Sequence, residues 1–187
     1  EDVYAMVQER VKDIPDAERA RAFFLFQYND STIMTSGQLF FGQWWADAIG
    51  AVNVANELAT DNSVTVNLEQ VYDWNPDIIF MTNFNTFQPD DLYNNTVGTY
   101  DWSGIQAVQD QRVYKMPLGM YRSYTPGIDT PITLLWMAKT TYPTLFEDID
   151  VTQRAIDYYE TVFGVTLTSE QVESIFAPIS AAGAIYF

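Results

Sequence analysis

Neither histidine nor cysteine occurs in the 187 residues. Their absence removes His-based catalytic triads, thiolate nucleophiles, iron–sulfur clusters, disulfides and most transition-metal sites. Chemistry is left to carboxylates, amides, hydroxyls, aromatic rings and a few basic groups. The acidic clusters are Asp90-Asp91 and Glu147-Asp148-Ile149-Asp150. Their spacing matches no EF-hand loop. They read as a solvated loop and a charged helix entry, with Asp150 placed to cap the helix. Nothing singles out a carboxylate pair for glycosidase chemistry. Gly37-Gln-Leu-Phe-Phe-Gly42 has phosphate-loop glycine spacing, but Gln43 and Trp44 stand where Lys and Ser or Thr must follow. There is no G-x-G-x-x-G and no G-x-S-x-G elbow. No enzyme and no bound cofactor are expected.

What remains is a set of aromatic residues lying between inferred elements: Phe40, Phe41, Phe84, Phe87, Tyr100, Tyr121 and Tyr124. Arg122 sits among the last of them, in a chain with nine Lys plus Arg against 25 Asp plus Glu. A guanidinium among tyrosines in a loop suits an acidic ligand group; an internal salt bridge is its alternative.

The elements that must hold these side chains alternate. Residues 2–14 read as an amphipathic helix (Val3, Met6, Val7, Val11, Ile14) stopped by Pro15. The chain opens directly on this pattern, which raises the expectation that its natural N-terminal part lies beyond Glu1. Ala22–Tyr28 reads as a short, largely apolar strand buried on both faces, Ile78–Thr82 as a second buried strand and Arg112–Met116 as a third strand. Val52–Val54 reads as a brief strand. Helices are expected at Trp44–Ile49, from Asn67 to Trp74, from Ser103 to Val108, from Asp129 to Tyr142, from Asp150 to Gly164 and from Thr168 to Phe176. Residues 83–101 read as loop. Alternation of this kind predicts an α/β three-layer αβα sandwich with a mainly parallel sheet. In such a sheet the loops at the carboxyl ends of the strands form the binding crevice. Tyr28, Phe40 and Phe41 follow the first strand, Phe84 and Phe87 the second, and Tyr121, Arg122 and Tyr124 the third. These eight residues are the candidate ligand contacts.

The bulk composition narrows the partners. The formal net charge of −16 repels a phosphate backbone, so no nucleic acid is expected, and an anionic membrane surface is equally unattractive. No apolar run reaches the roughly 18 residues of a membrane span. With 48% apolar residues the chain can build a sizeable core.

Several segments together resemble a known family. Asn67-Leu-Glu-Gln-Val-Tyr-Asp-Trp-Asn-Pro-Asp-Ile-Ile-Phe80 is similar to the helix–turn–strand of class III substrate-binding proteins of ABC importers. Gly50-Ala-Val-Asn-Val-Ala55 resembles the family's Gly-Gly-x-Asn-x-Ala, with Ala51 replacing one glycine. Trp102 to Tyr114, Pro131 to Pro143 (with Leu134-Leu-Trp-Met-Ala-Lys139), Phe146 to Asp150 and Leu167 to Gln171 follow in the family's order. The likeness covers about residues 1–176 and lacks the family's N-terminal lobe. It implies an inter-lobe helix at 1–15 and a C-terminal ligand-binding lobe at 16–187. It also implies a Rossmann-like lobe of a periplasmic binding protein, capture of a metal-chelate small molecule and delivery to an ABC permease. The implied cargo is a ferric siderophore, with haem or a corrinoid as alternatives; without histidine this lobe cannot supply a His axial ligand to haem. The implied location is extracytoplasmic, with a lipid anchor on the complete protein. Glu69, in Asn67-Leu-Glu-Gln70, resembles the family's surface glutamate that meets an arginine of the permease. The rivals from other classes are an adhesion module and an enzyme on a related two-lobed scaffold.

Overall fold

The computed structural model describes residues 2–180. Glu1 and the end of the expected 16–187 lobe, residues 181–187, lie outside the described residues. In chain order the elements are α1 (Val3–Val11), β1 (Arg21–Leu25), β2 (Gln27–Asn29), β3 (Thr32–Ser36), α2 (Phe41–Ala48), β4 (Val52–Asn53), β5 (Ser63–Val66), α3 (Leu68–Trp74), β6 (Ile78–Met81), α4 (Pro89–Tyr93), α5 (Gln106–Gln109), β7 (Val113–Lys115), α6 (Thr130–Thr141), α7 (Val151–Phe163) and α8 (Ser169–Phe176).

The main sheet has the order β4-β1-β6-β7, and every neighbouring pair is parallel. β1 and β6 occupy its centre because both lack a polar face: all of Ile78–Met81 and all but the first residue of β1 are buried. Successive side chains point to opposite faces. Ala22, Phe24, Ile78 and Phe80 meet Val7, Val11, Trp45, Leu135 and Tyr124 on one side. Phe23, Leu25, Ile79 and Met81 meet Val71, Trp74, Trp102 and Val108 on the other. Helices α1, α2 and α6 cover the first face, and α3 and α5 the second. This is the predicted three-layer sandwich.

α1 is locked onto the body at successive turns. Val7 and Val11 are buried in the core. Gln8 Nε2 donates to Ala48 O at 2.8 Å, and Arg10 donates both terminal nitrogens to the Asp148 carboxylate at 2.5 and 2.7 Å. That pairing holds the Asp148 carboxyl well below its usual range, at about 2.

Three departures from the sequence reading have tertiary causes. The apolar run 22–28 does not form one strand: β1 stops at Leu25, Phe26 N donates to Met34 O at 2.8 Å, and the chain crosses into a separate antiparallel sheet of order β2-β3-β5. The expected capping box at Ser103 is not used, because α5 begins only after Ile105. Its first amide, Gln106 N, donates instead to Asn75 Oδ1 at 2.9 Å, across 31 residues. Asp129 precedes α6 but does not cap it. Its carboxylate accepts from Tyr159 OH at 3.0 Å and from Met120 N, tying the loop after β7 to α7.

The turn at Gly98 closes against the hairpin between β2 and β3. Gly98 has φ +59°, and a Cβ there would lie 2.7 Å from Asp30 O. Gly98→Ala is therefore expected to cost more than about 1 kcal/mol, combining left-handed strain with a backbone clash. A urea midpoint equal to that of the parent chain would show that this turn relaxes freely.

Candidate ligand-binding rim

The parallel strands β1, β6 and β7 all deliver their carboxyl ends to one edge of the sheet, so the residues that follow them meet there. Phe26 follows β1, Phe84 follows β6, and Arg122 and Tyr124 follow β7; Phe40 and Phe41 enter α2 alongside. Phe26 lies 5.7 Å from Phe40, 5.2 Å from Phe84 and 5.4 Å from Tyr124 between ring centroids. Phe40 and Phe41 are 4.7 Å apart, and each packs on Tyr124. The Arg122 guanidinium stands 4.9 Å over the Phe84 ring, a cation–π arrangement that fixes its plane. Phe26, Phe40, Phe41, Phe84 and Arg122 are all half-buried, with one side in the protein and the other toward solvent. Tyr121 is 59% exposed at the outer margin, beside Met120.

Local hydrogen bonds place these rings. Thr82 Oγ1 donates to Phe26 O at 2.6 Å, joining the ends of β1 and β6. Asn83 Nδ2 donates to Met116 O at 2.6 Å and Pro117 O at 3.1 Å, joining the ends of β6 and β7. Trp45 Nε1 donates to Tyr124 O at 2.8 Å from beneath.

The structure splits the eight predicted contacts. Phe40, Phe41, Phe84, Arg122 and Tyr124 come together, with Tyr121 on the loop that carries Arg122. Tyr28 and Phe87 form a second cluster with Tyr100 and Trp102, packed on the other core. The sequence reading puts Tyr28, Phe87 and Tyr124 on the rim as ligand contacts; Tyr124 is instead buried under it, and Tyr28 and Phe87 pack on the opposite face of the sheet. Tyr28 sits in β2, and its hydroxyl accepts from Trp102 Nε1 at 2.9 Å; burial pushes that hydroxyl up to about 12. Tyr124 is fully buried as the hub of the rim cluster, and burial raises its hydroxyl far above the ordinary phenol range. Tyr124 underlies the rim rings from below. Phe26 is the rim residue that sequence reasoning missed: it looked like strand core, and only the early end of β1 turns it outward.

Glu69 is exposed in the first turn of α3, and Asn67 Oδ1 accepts from Gln70 N at 2.8 Å as the capping pattern predicts. Among the described residues no three His, Cys, Asp or Glu side chains converge to hold a metal ion, and no helix is long and apolar enough to cross a membrane. A groove of about 730 Å³ lies away from the rim, between α6 and the start of α7, lined by Tyr114, Trp136, Asp148 and Phe176 among others.

The parallel sheet with helices on both faces matches the fold of one lobe of solved periplasmic solute-binding proteins. A periplasmic solute-binding protein of Veillonella parvula superposes with a TM-score of 0.85 at 28% identity, covering 94% of this chain and 52% of that one. The molybdate-binding protein MolA of Haemophilus influenzae is 26% identical over 164 residues, 84% of this chain and 43% of its own length. Its molybdate-bound structure, from an ABC transporter, superposes with a TM-score of 0.67. Helicobacter pylori CeuE with Ni(II) bound shares the fold at 22% identity and a TM-score of 0.74. No family model matches the chain. The chain spans about half the length of the proteins it matches, the share that a single lobe would have. The relatives are solute-binding proteins, not enzymes.

Proposed function

We propose that this chain is the ligand-holding lobe of an extracytoplasmic solute-binding protein that hands its cargo to an ABC permease, and that the cargo is a ferric siderophore. The observation that carries the ligand class is the rim itself: Phe26, Phe40, Phe41 and Phe84, half-exposed, with the Arg122 guanidinium among them. Flat aromatic surface with one cation suits a bulky chelate that presents apolar faces and negative oxygens. A bare metal ion would call for converging carboxylates or imidazoles, which this rim does not offer. Haem and corrinoids share the apolar, anionic character and are the neighbouring choices. The extracytoplasmic location follows the periplasmic relatives. Glu69, exposed on the helix start, serves as the permease-facing carboxylate.

The test is a titration of this chain with iron(III) tris-catecholate, Ni(II) and molybdate in parallel, read by quenching of its five tryptophans. The iron complex is expected to bind with a dissociation constant above about 1 µM, because one lobe supplies only part of the contact area and preorganisation. Arg122→Ala should weaken that binding about tenfold, the loss of one charge-assisted contact. Tighter binding of molybdate or Ni(II) than of the iron complex would overturn the choice of cargo.

A further inference from the structure

The loop that presents the rim is held from beneath by a lysine that the binding site does not use. Lys115 ends β7, paired in register with Met81 at the end of β6, so its backbone is fixed by the sheet. Its side chain is turned inward and the residue is only 5% exposed. Nζ donates to Asn85 O at 2.8 Å, Asn85 Oδ1 at 3.1 Å and Phe87 O at 2.7 Å. These three oxygens can take all three protons of the ammonium, or both protons of the neutral amine. Among the described residues no carboxylate lies within ion-pair distance of it. Burying an ammonium on neutral oxygens alone is costly, and an apolar side chain would avoid that cost. What the lysine supplies instead is geometry. Thr82 and Asn83 anchor the start of the loop; Lys115 anchors residues 85–87. Between and beyond those anchors the two phenylalanines part, Phe84 to the rim cluster and Phe87 to Tyr28 on the opposite core.

We propose that Lys115 is the positioning residue of the rim, its side-chain nitrogen fixing the path of residues 85–87 and so the placement of Phe84 and Phe87. The importance of that placement rests on the reading of this edge as the binding rim; the tie itself does not. The arrangement also has a pH signature. Desolvation lowers the Lys115 ammonium from its usual value to about 7, opposed weakly by the Asp91 carboxylate. α4, packed on β7, carries Asp90, Asp91 and Tyr93; Tyr114 precedes Lys115 on its own strand; β6 alongside has no titratable group. When the loop opens, the amine meets water and regains a value near 10.5. The open form then binds more protons than the closed one between pH 7 and 10, so closure strengthens as pH rises through that window.

Hydrogen exchange on the ligand-free chain tests this. In Lys115→Met, the hydrogen-bonded amides of Phe84 and Gln88 are expected to exchange at least tenfold faster at pH 7, while those of β1 and α6 stay within threefold of the parent. In the parent chain, protection of these two amides, corrected for intrinsic rates, should rise about tenfold or more between pH 7 and 9, and Lys115→Met should lack that rise. Unchanged exchange in the variant, or a parent profile that is flat or falling over that range, overturns the proposal. If Lys115→Met fails to fold, Lys115→Gln, which shortens the side chain and does not titrate, takes its place and should show the same faster exchange without the pH rise. No ligand enters this measurement, so its failure leaves the cargo reading standing, and failure to bind iron(III) tris-catecholate leaves the positioning role standing.

Discussion

Replacing Trp45 with alanine is expected to remove about 3–5 kcal/mol of folding free energy, the range for truncating a large, fully buried aromatic residue. Trp45 is 0% exposed within the core that joins α1, α2 and α6 to the sheet. Its indole N–H holds the Tyr124 carbonyl, so the truncation also strands a buried acceptor, worth about 1–3 kcal/mol by itself. A domain of this size has about 5–15 kcal/mol in total, which leaves the variant marginal. Trp45→Phe keeps most of the ring and loses only the donor, so it should fall between the two. Urea unfolding measures both: the midpoint should drop steeply with an unchanged slope. A loss below about 1 kcal/mol for the alanine variant would mean that the core under the rim repacks, and that Tyr124 is not held from below.

In cells, the largest functional effect is expected from Glu69→Arg. The side chain is exposed in the first turn of α3, whose cap is satisfied by Asn67. Reversing its charge there costs the fold at most about 1 kcal/mol through the helix dipole. If the carboxylate receives an arginine of the permease, reversal turns a charge-assisted hydrogen bond into a repulsion at the interface. Uptake by the complete transporter should then fall at least tenfold, while ligand titration and thermal midpoint stay near those of the parent. Arginine-to-glutamate substitution on the permease should restore part of the uptake. Undiminished uptake with Glu69→Arg would remove Glu69 from the docking surface.

How far the fold could be read from residues alone follows from where each element draws its stability. Helices whose signal is local stood in the sequence: the caps at Asn67, Asp150 and Thr168 all make the hydrogen bond that their spacing predicts. The strands β1 and β6 were legible because burial on both faces leaves no polar alternation. Elements with tertiary causes were not. α5 takes its cap from Asn75 rather than Ser103. β3 and β5 are rich in Ser and Thr and take their stability from pairing, β3 with both β2 and β5. α4 is five residues inside what reads as loop. The candidate site shows the same division. Strand-end position was enough to gather Phe40, Phe41, Phe84 and Arg122. Side-chain direction was not available from it, so Tyr28 and Tyr124 went unrecognised as buried residues and Phe26 as a rim residue. Lys115 gave no signal at all, since a lysine ending a strand ordinarily reaches for solvent.

The anchoring of α1 has a mechanical consequence. Val7 and Val11 in the core, Gln8 on α2 and Arg10 on Asp148 grip successive turns of one nine-residue helix. Such a helix, about 13 Å long at 1.5 Å per residue, cannot swivel on the sheet without breaking several of these grips at once. It behaves as a lever welded to the lobe. A load applied at its Asp2 end therefore passes into the sheet instead of being absorbed between α1 and the core.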